Sequence, residues 1–429
     1  MNWYIQSRNI ANDRRNFLNQ AKSRGSQDIR ISQAHLILFF IPMFMIYTTS
    51  KKLLSLLLAV FVIIWLSGCA TDTQTKEVRT IKIWVIAPLS WPAATFGGDG
   101  VAFYTYIADI FNAENKDVQI QLIIEDGKCS GKDATSAVQK LIMIDKVDMI
   151  WWGMCSSETI AAGKIAQANK VFTIAPISSA PEISEIGEYV YRFYSDIETA
   201  KNLWTYAYKE FTGIALFTEN TDYAMGLNAK LKGEYKWNIV VDDTFQSDEK
   251  DFAILVSKLK WKQVDWIVLL TQSESTTISF LKALQTANLL EKFRAKIVWV
   301  YICSSETFLK GAGEMANGMR CFDLPSLEYL SESSKAFIQE YKKIHTINAF
   351  PSRIVLQKET TDMTLDAIRA GNYTSDTIKQ YFENIDQNNP RQWYFGEVYF
   401  DNERNLVGLP YMIEKIVDGK IEKVQILSD

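Results

Sequence analysis

The chain is organised around the stretch Val147-Asp148-Met149-Ile150-Trp151-Trp152-Gly153-Met154-Cys155-Ser156-Ser157-Glu158-Thr159. A short apolar run ends at a small polar Cys-Ser-Ser turn, and a run compatible with a helix continues to Gln167. The pattern predicts a strand, a loop and the start of a helix. Because the first turn of a helix has unpartnered backbone N–H groups and partial positive charge, Ser156 and Ser157 are placed to hold a carboxylate. A serine that only caps the helix is the alternative.

The composition is that of a globular protein with a large core. The chain has 429 residues, a length that is enough for two ordinary domains. Of these residues 48% are hydrophobic and 22% are charged. Residues 1–69 are basic, so residues 70–429 carry a net charge of about −10. An acidic body argues against nucleic-acid binding. The two histidines, His35 and His345, have no other metal ligand or nucleophile near them in sequence. We therefore expect no metal, no cofactor and no enzymatic activity.

The N-terminal region has the pattern of an export signal. Lys51-Lys52 precedes an apolar run, Leu53 to Leu66, and small residues follow before Cys69. This order is typical of a secretory signal, and the run is shorter than the roughly 20 residues that a membrane-spanning helix needs. We predict a signal peptide at 45–69 and a polar tether at 70–80. An uncleaved membrane anchor is the alternative, and residues 1–44 are an extension with no assigned role.

From Ile81 onward, apolar strand candidates alternate with amphipathic helices. Strands of a first set are predicted at Ile81–Ala87, Val118–Glu125, Val147–Gly153, Val171–Ala175 and Tyr189–Phe193. A second set follows at Gly213–Thr218, Lys236–Phe245, Val264–Thr271, Ala295–Ile302 and Gly318–Phe322. Two helices at about 330–345 and 354–371 precede tail strands at Trp393–Phe400, Gly408–Val417 and Lys420–Leu427.

This order predicts an α/β fold with two doubly wound lobes, parallel-type sheets and a hinge of several chain crossings. The first lobe is predicted to comprise 81–196 plus 326–408, and the second 197–325 plus 409–429. Of the five cysteines, Cys129 and Cys155 then lie in the first lobe and Cys303 and Cys321 in the second. Outside the cytoplasm this split suggests one disulfide in each lobe, with unpaired buried thiols as the alternative.

Several short stretches together resemble a known family. They are Ile86-Ala87-Pro88-Leu89-Ser90, Cys155-Ser156-Ser157-Glu158-Thr159, Ala175-Pro176-Ile177-Ser178-Ser179 and Glu219-Asn220-Thr221-Asp222-Tyr223. With them, residues 81–429 resemble a type I periplasmic solute-binding protein of the leucine/isoleucine/valine-binding family. Leu66-Ser67-Gly68-Cys69 also resembles the lipobox of bacterial lipoproteins, which implies lipid attachment at Cys69.

The resemblance implies a function and partners. The protein would be a monomeric, lipid-anchored receptor outside the cytoplasm that captures an amino acid-like solute and delivers it to the permease of an ABC importer. A receptor domain of the same fold that signals to a partner protein is the alternative. A serine hydrolase is disfavoured because the chain has no Gly-x-Ser-x-Gly motif and no histidine placed to act as a base.

The resemblance also implies binding residues. Ser156, Ser178 and Ser179 would hold the carboxylate of the solute, Tyr223 would contact it from the second lobe, and Phe96 would cover it. Cys129 and Cys155 resemble the disulfide pair of the family. An ammonium group needs an acceptor when it is buried, and Asp196 at the first crossover is the candidate.

The chain departs from the family in the second lobe. Tyr301 stands near the position where relatives have an acid, and Gln272 stands where they have an aromatic contact. Both residues are predicted to contact the solute, and Gln272 indicates a more polar solute than leucine.

Several tryptophans occupy positions at which the resembled family has glycine or a turn. They are Trp84, Trp91, Trp151, Trp152, Trp237 and Trp261. An indole fits poorly where the backbone needs a positive φ. We hypothesise that UGA codons read as glycine in the source were translated here as tryptophan; genuine tryptophan packing is the alternative. Peptide mass spectrometry of the native protein tests this, and tryptophan at position 91 would contradict it.

Overall fold

The computed structural model describes residues 78–427, apart from 91–93, 152–153, 248, 302 and 348–349. The predicted extension, the predicted signal with Cys69, and most of the predicted tether lie outside these residues. Within the described part, none of the helices is both long and apolar enough to cross a bilayer.

The first part of the described chain alternates strands and helices. Its elements are β1 (Arg79–Ala87), α1 (Ala94–Glu114), β2 (Val118–Asp126), α2 (Gly131–Lys140), β3 (Met149–Trp151), α3 (Ser156–Ala168), β4 (Phe172–Ala175), β5 (Val190–Arg192) and α4 (Asp196–Ala207). Helices α2 and α4 begin after serines, Ser130 and Ser195, whose side chains accept hydrogen bonds from backbone N–H groups of the first turn. These local signals explain where the helices start.

The second part continues the alternation and ends in antiparallel strands. Its elements are β6 (Ile214–Glu219), α5 (Asp222–Glu234), β7 (Ile239–Phe245), α6 (Ala253–Lys258), β8 (Trp266–Leu270), α7 (Glu274–Thr286), α8 (Leu290–Phe293), β9 (Ile297–Trp299), α9 (Glu306–Ala312), β10 (Arg320–Asp323), α10 (Glu332–Lys342), α11 (Pro351–Arg369), α12 (Ser375–Glu383), β11 (Arg391–Trp393), β12 (Gly396–Phe400), β13 (Leu406–Val407), β14 (Tyr411–Val417) and β15 (Lys420–Leu427).

Two large sheets form the two lobes. Among the described residues, the first sheet has the order β2-β1-β3-β4-β5, and all of its strand pairs are parallel. The second has the order β15-β14-β10-β9-β8-β6-β7, with parallel pairs from β7 to β10 and antiparallel pairs at β14 and β15. Strands β11, β12 and β13 form a small antiparallel sheet. The predicted fold class, two α/β lobes dominated by parallel strands, is confirmed.

The chain crosses between the two sheets after β5, after β10 and before β14. Helix α11 follows the second crossing and packs against α1, which borders the first sheet. Most of its residues are buried, so it lies inside the protein rather than on its surface. The boundaries proposed above for the two lobes stay predictions.

The prediction of one strand over Trp393–Phe400 is wrong. The segment is a hairpin, since β11 ends at Trp393 and β12 starts at Gly396, which has a φ of 123°. This left-handed conformation helps to reverse the chain, although aromatic residues both precede and follow it in the sequence. Helix α12 has no counterpart among the predicted elements, although Thr374 and Thr377 form a capping box at its start.

Four of the suspect tryptophans lie within the described residues, and none of these four has a positive φ. Trp84 and Trp151 are fully buried in β1 and β3, Trp237 contacts Trp204 edge to face, and the side chain of Trp261 is exposed. Tryptophan does not occur among the described residues with positive φ. Backbone geometry therefore does not require glycine at these four positions. Trp91 and Trp152 lie outside the described residues, and the UGA hypothesis stays a prediction.

We expect Gly408→Ala to destabilise the protein more than Gly371→Ala. Both glycines have positive φ, 101° and 90°. A Cβ at Gly408 would lie 2.3 Å from the backbone oxygen of Glu397, whereas one at Gly371 would meet no atom within 4 Å. Conformational strain alone costs about 1 kcal/mol, so Gly371→Ala should lose about that much unfolding free energy and Gly408→Ala about 2 kcal/mol. Urea denaturation measures both; equal losses would contradict the steric argument.

Candidate functional site

A cavity of about 930 Å³ lies between the two lobes. Parallel strands end at the same edge of a sheet, so the loops after β3 and β4 meet on one wall and the loops after β6 and β8 on the other. Of the residues predicted to bind, those on the cavity wall are Phe96, Ser156, Ser179, Tyr223, Gln272 and Tyr301. The sequence thus identified residues that the fold brings to one place.

Ser156 is the first residue of α3, after Cys155 at the N-cap position. Its Oγ accepts hydrogen bonds from the backbone N–H groups of Ser179 and Ala180, at 3.3 and 3.2 Å. The helix therefore begins one turn earlier than the predicted run from Thr159. No hydrogen bond donated by Ser156 Oγ occurs among the described residues. Both lone pairs of this oxygen thus accept hydrogen bonds, and its proton stays available to an acceptor in the cavity. The proton lies next to the positive end of the helix dipole.

The loop after β2 is tied to the first turn of α3. Cys129 and Cys155 form a disulfide, Ser157 Oγ donates to the backbone oxygen of Cys129 at 2.8 Å, and the N–H of Cys129 donates to Glu158 Oε1 at 2.9 Å. The Ser157 proton is thus used within the protein. These contacts hold the wall around Ser156 in place.

We expect Glu158→Gln to reduce the pH dependence of stability. Burial raises the pKa of Glu158 to about 7, so its folded-state pKa lies above the unfolded value. The stability contributed by the protonated form is complete below the unfolded pKa and is lost as the pH rises through about 7. The native protein should lose roughly 2 kcal/mol more than the variant between pH 5 and pH 8.

Urea denaturation at the two pH values measures this difference. Glu332→Gln, at a side chain that is 91% exposed, is the matched control and should behave like the native protein. Equal losses in the native protein and in Glu158→Gln would show that Glu158 is ionised in the folded state.

Ser178 and Ser179 are adjacent but face different surroundings. Ser179 lines the cavity. Ser178 is buried and accepts a hydrogen bond from Thr159 Oγ1 at 2.6 Å, and it is not among the residues on the cavity wall. Successive residues of an extended loop point in opposite directions, which explains the difference. Of the two, Ser179 is the residue that a solute can reach.

Asp196 does not line the cavity. It is the first residue of α4, it is fully buried, and its backbone N–H donates to the backbone oxygen of Ser179 at 3.0 Å. Burial raises the pKa of its carboxyl to about 7, and the nearby Ser179 and Arg192 oppose the shift. The carboxyls on the cavity wall come mainly from the second lobe, as Glu219, Asp222 and Glu274.

On the cavity wall that the second lobe provides, several polar groups already form hydrogen bonds within the protein. Tyr223, in the first turn of α5, donates its hydroxyl proton to the backbone oxygen of Val300 at 2.6 Å. Its oxygen can still accept a hydrogen bond. Glu219 accepts from Thr271 Oγ1 and from the backbone N–H of Gln272, both at 2.8 Å, which fixes the loop that carries the Gln272 side chain.

Aromatic rings close one side of the cavity. The Phe96 ring lies 5.0 Å from that of Phe350 and 6.4 Å from that of Tyr301, measured between centroids. Tyr301 also packs against Phe350 at 5.8 Å and against Trp299 at 5.4 Å. An apolar part of a bound molecule would be covered by these rings.

Sequence reasoning did not identify Arg353, Tyr194 and Phe350, which all line the cavity. Arg353 lies in the first turn of α11 and pairs with Asp323 at the end of β10, at 2.6 Å between Nη2 and Oδ2. No local pattern marks these residues, because they reach the cavity only when the two lobes assemble.

The remaining predicted groups are the second disulfide and possible metal ligands. Cys303 and Cys321 form the second disulfide, so the prediction of one disulfide per lobe agrees with the structure. Clusters of three or more potential metal ligands are absent from the part of the chain that the structure describes.

Comparison with known sequences shows which proteins resemble the chain. The family described as periplasmic binding protein matches residues 80–420. The Leu/Ile/Val-binding protein of Escherichia coli is 26% identical over 214 residues, which is 47% of this chain and 58% of that protein. A leucine-, isoleucine-, valine-, threonine- and alanine-binding protein of Pseudomonas aeruginosa is 26% identical over 227 residues, which is 51% of this chain and 60% of that protein. The alignments thus span little more than half of these relatives.

Solved structures have the same fold. A substrate-binding protein of a branched-chain amino acid transporter from Streptococcus pneumoniae, in complex with isoleucine, has a TM-score of 0.70 and 22% identity. The match covers 82% of this chain and all of that one. A solute-binding protein of an ABC transporter from Rhodopseudomonas palustris, in complex with 3,4-dihydroxybenzoic acid, has a TM-score of 0.69 and 18% identity, covering 81% and 97%.

Proposed function

The chain belongs to the periplasmic binding protein family, and from this membership we propose that it is the solute receptor of an ABC importer. The resemblance inferred from sequence is confirmed by the family match and by the Leu/Ile/Val-binding relatives. The family is one of binding proteins, not of enzymes. The solute that we propose is an amino acid or a similar small carboxylate.

One observation carries the proposal. The Ser156 hydroxyl accepts two backbone hydrogen bonds and has its proton left to donate, at the start of a helix and on the wall of an interlobe cavity. Hydroxyl and backbone donors at a helix N-terminus suit a carboxylate, because hydrogen bonds to a charged acceptor are stronger than those to a neutral one.

The mechanism is capture by closure of the two lobes. The solute carboxylate binds to Ser156 and Ser179 of the first lobe. The second lobe then brings Tyr223 and Gln272 against the solute, and the chain crossings act as the hinge. The closed form is what the permease recognises, and no covalent bond is made or broken.

The cellular setting is part of the proposal. We place the protein outside the cytoplasm, as a monomer anchored by a lipid on Cys69 of the lipobox-like sequence. Labelling with a radioactive fatty acid tests the anchor: the native protein should incorporate the label and Cys69→Ser should not. Label in Cys69→Ser would contradict it.

Calorimetric titration of the full-length protein tests the function. The panel comprises amino acids, amides, small peptides and monocarboxylates and dicarboxylates. We expect micromolar or tighter binding of at least one carboxylate, together with a smaller radius of gyration by X-ray scattering as the lobes close. A folded protein that binds nothing in the panel would overturn the assignment to small carboxylates.

A further inference from the structure

Arg192, the last residue of β5, is a buried arginine whose guanidinium is hydrogen-bonded on every nitrogen. The residue is 1% exposed. Nη1 donates to the backbone oxygens of Ser179 and Ala180, at 2.7 and 2.6 Å. Nε and Nη2 donate, at 2.6 to 3.0 Å, to side-chain oxygens of three uncharged residues, Ser184, Ser195 and Asn405. A guanidinium with acceptors on all three nitrogens is held in one orientation.

The positive charge of Arg192 has no ion-pair partner. All of its acceptors are uncharged oxygens, and within the described ranges no carboxylate oxygen lies within 4.0 Å of the guanidinium nitrogens. Burial lowers the pKa of the guanidinium, and the more distant carboxyls of Asp196 and Asp401 oppose this shift. A buried charge without a paired counter-charge is costly. Negative charge that binds close to Arg192 is therefore favoured.

The peptide group between Ser179 and Ala180 connects Arg192 to the cavity wall. The C=O of Ser179 and the N–H of Ala180 belong to this one planar group and point in opposite directions. The C=O accepts from Arg192 Nη1, and the N–H donates to Ser156 Oγ at 3.2 Å. Arg192 thus fixes the direction of the N–H. Its charge also polarises the peptide group, which makes the N–H a stronger donor.

Ser156 extends this chain of hydrogen bonds to the cavity. Its Oγ accepts from the N–H groups of Ser179 and Ala180, so its own proton is what it can donate to a solute. Because hydrogen bonds in a chain polarise one another, a hydroxyl that accepts from polarised donors is itself a stronger donor. An ionised acceptor gains more from such a donor than a neutral one, and it also brings negative charge towards Arg192.

We propose that Arg192 is a positioning residue, which orients and polarises the Ser156 hydroxyl through the 179–180 peptide and so selects a carboxylate over a neutral group. The inference rests on the proposed function and goes beyond it, because Arg192 is not among the residues on the cavity wall. The solute group that lies at Ser156 is then an ionised carboxylate rather than an amide or an ester.

The test is calorimetric titration of the full-length protein with the tightest carboxylate solute of the panel and with its carboxamide. We expect the native protein to bind the carboxylate about ten times more tightly or better. Arg192→Lys keeps a positive charge but lacks the forked donors that hold both backbone oxygens. It should weaken carboxylate binding by about a factor of five or more, and carboxamide binding by less than about a factor of two.

A double-mutant cycle shows whether the effect passes through Ser156. In the Ser156→Ala background, Arg192→Lys should weaken carboxylate binding by less than about a factor of two, because the hydroxyl that Arg192 positions is missing. Arg369→Lys is the matched control, since it makes the same substitution at a side chain that is 43% exposed. Its affinity should equal that of the native protein.

Urea denaturation checks that each variant is folded. If Arg192→Lys does not fold, Asn405→Ala replaces it with the same expectations. This variant keeps Arg192 and removes the acceptor that Nε and Nη2 share, so the guanidinium is less firmly held.

The outcomes separate this inference from the proposed function. Equal weakening with and without the Ser156 hydroxyl, or of carboxylate and carboxamide alike, would overturn the role of Arg192 and leave the receptor function standing. A purely structural residue predicts such equal effects. Unchanged carboxylate binding in Arg192→Lys would also overturn it. If the native protein binds no solute of the panel, the inference fails together with the small-carboxylate assignment.

Discussion

Alanine at both Ser156 and Ser179 is expected to weaken solute binding at least 100-fold. Ser156 has an uncommitted proton at the start of α3, and Ser179 lies beside it on the cavity wall. A hydrogen bond to a charged group contributes about 1.5–3 kcal/mol, so the loss of two costs about 3 kcal/mol or more. Each 1.4 kcal/mol corresponds to a factor of about ten in the dissociation constant. Calorimetry with the tightest solute of the panel measures the change.

Ser157→Ala is the matched control for this prediction. Ser157 is the next residue of the same helix turn, but its hydroxyl proton is donated to the backbone oxygen of Cys129. We expect its alanine variant to lose some unfolding free energy, about 1 kcal/mol, and to bind the solute within a factor of about three of the native protein. Weakening of the same size in Ser157→Ala and in the double variant would contradict a carboxylate site at Ser156.

Asp323→Asn is expected to lower the unfolding free energy by about 3–5 kcal/mol. Asp323 and Arg353 form an ion pair whose side chains are only 4% and 5% exposed. The amide leaves the Arg353 charge buried without a counter-charge, which is the costly case for a buried pair. Urea denaturation at constant pH measures the loss.

Glu306→Gln is the control for Asp323→Asn because it makes the same acid-to-amide change. Glu306 pairs with Lys310, and both side chains are more than 70% exposed. We expect a much smaller loss than for Asp323→Asn, as is usual for exposed pairs. If Asp323→Asn costs no more than Glu306→Gln, the buried pair does not stabilise the folded state, and Arg353 is not anchored as described.

The strand predictions succeeded where the signal is local. β15 has the predicted bounds, Lys420–Leu427, because two apolar-rich runs flank the turn at Asp418 and Gly419, both with positive φ. The end of β4 at Ala175 was also predicted correctly. Ser156 was named from its place before a predicted helix, whereas Ser179 was named from the family resemblance. The hairpin at 391–400 could not be predicted from the sequence, since Tyr394 and Phe395 in its turn are residue types that are common in strands.

By itself, the sequence determined the alternation of strands and helices, the two-lobed α/β fold and the serines at the strand ends, because these depend on periodicity and on residues close together in the chain. Only the tertiary structure decided that Ser178 faces Thr159, that Asp196 is buried away from the cavity, and that Arg353 meets Asp323 and Tyr194. Those contacts join segments that are 19 to 159 residues apart in the sequence. Their geometry depends on how distant segments pack within the first lobe and at the chain crossings, and no local pattern encodes it.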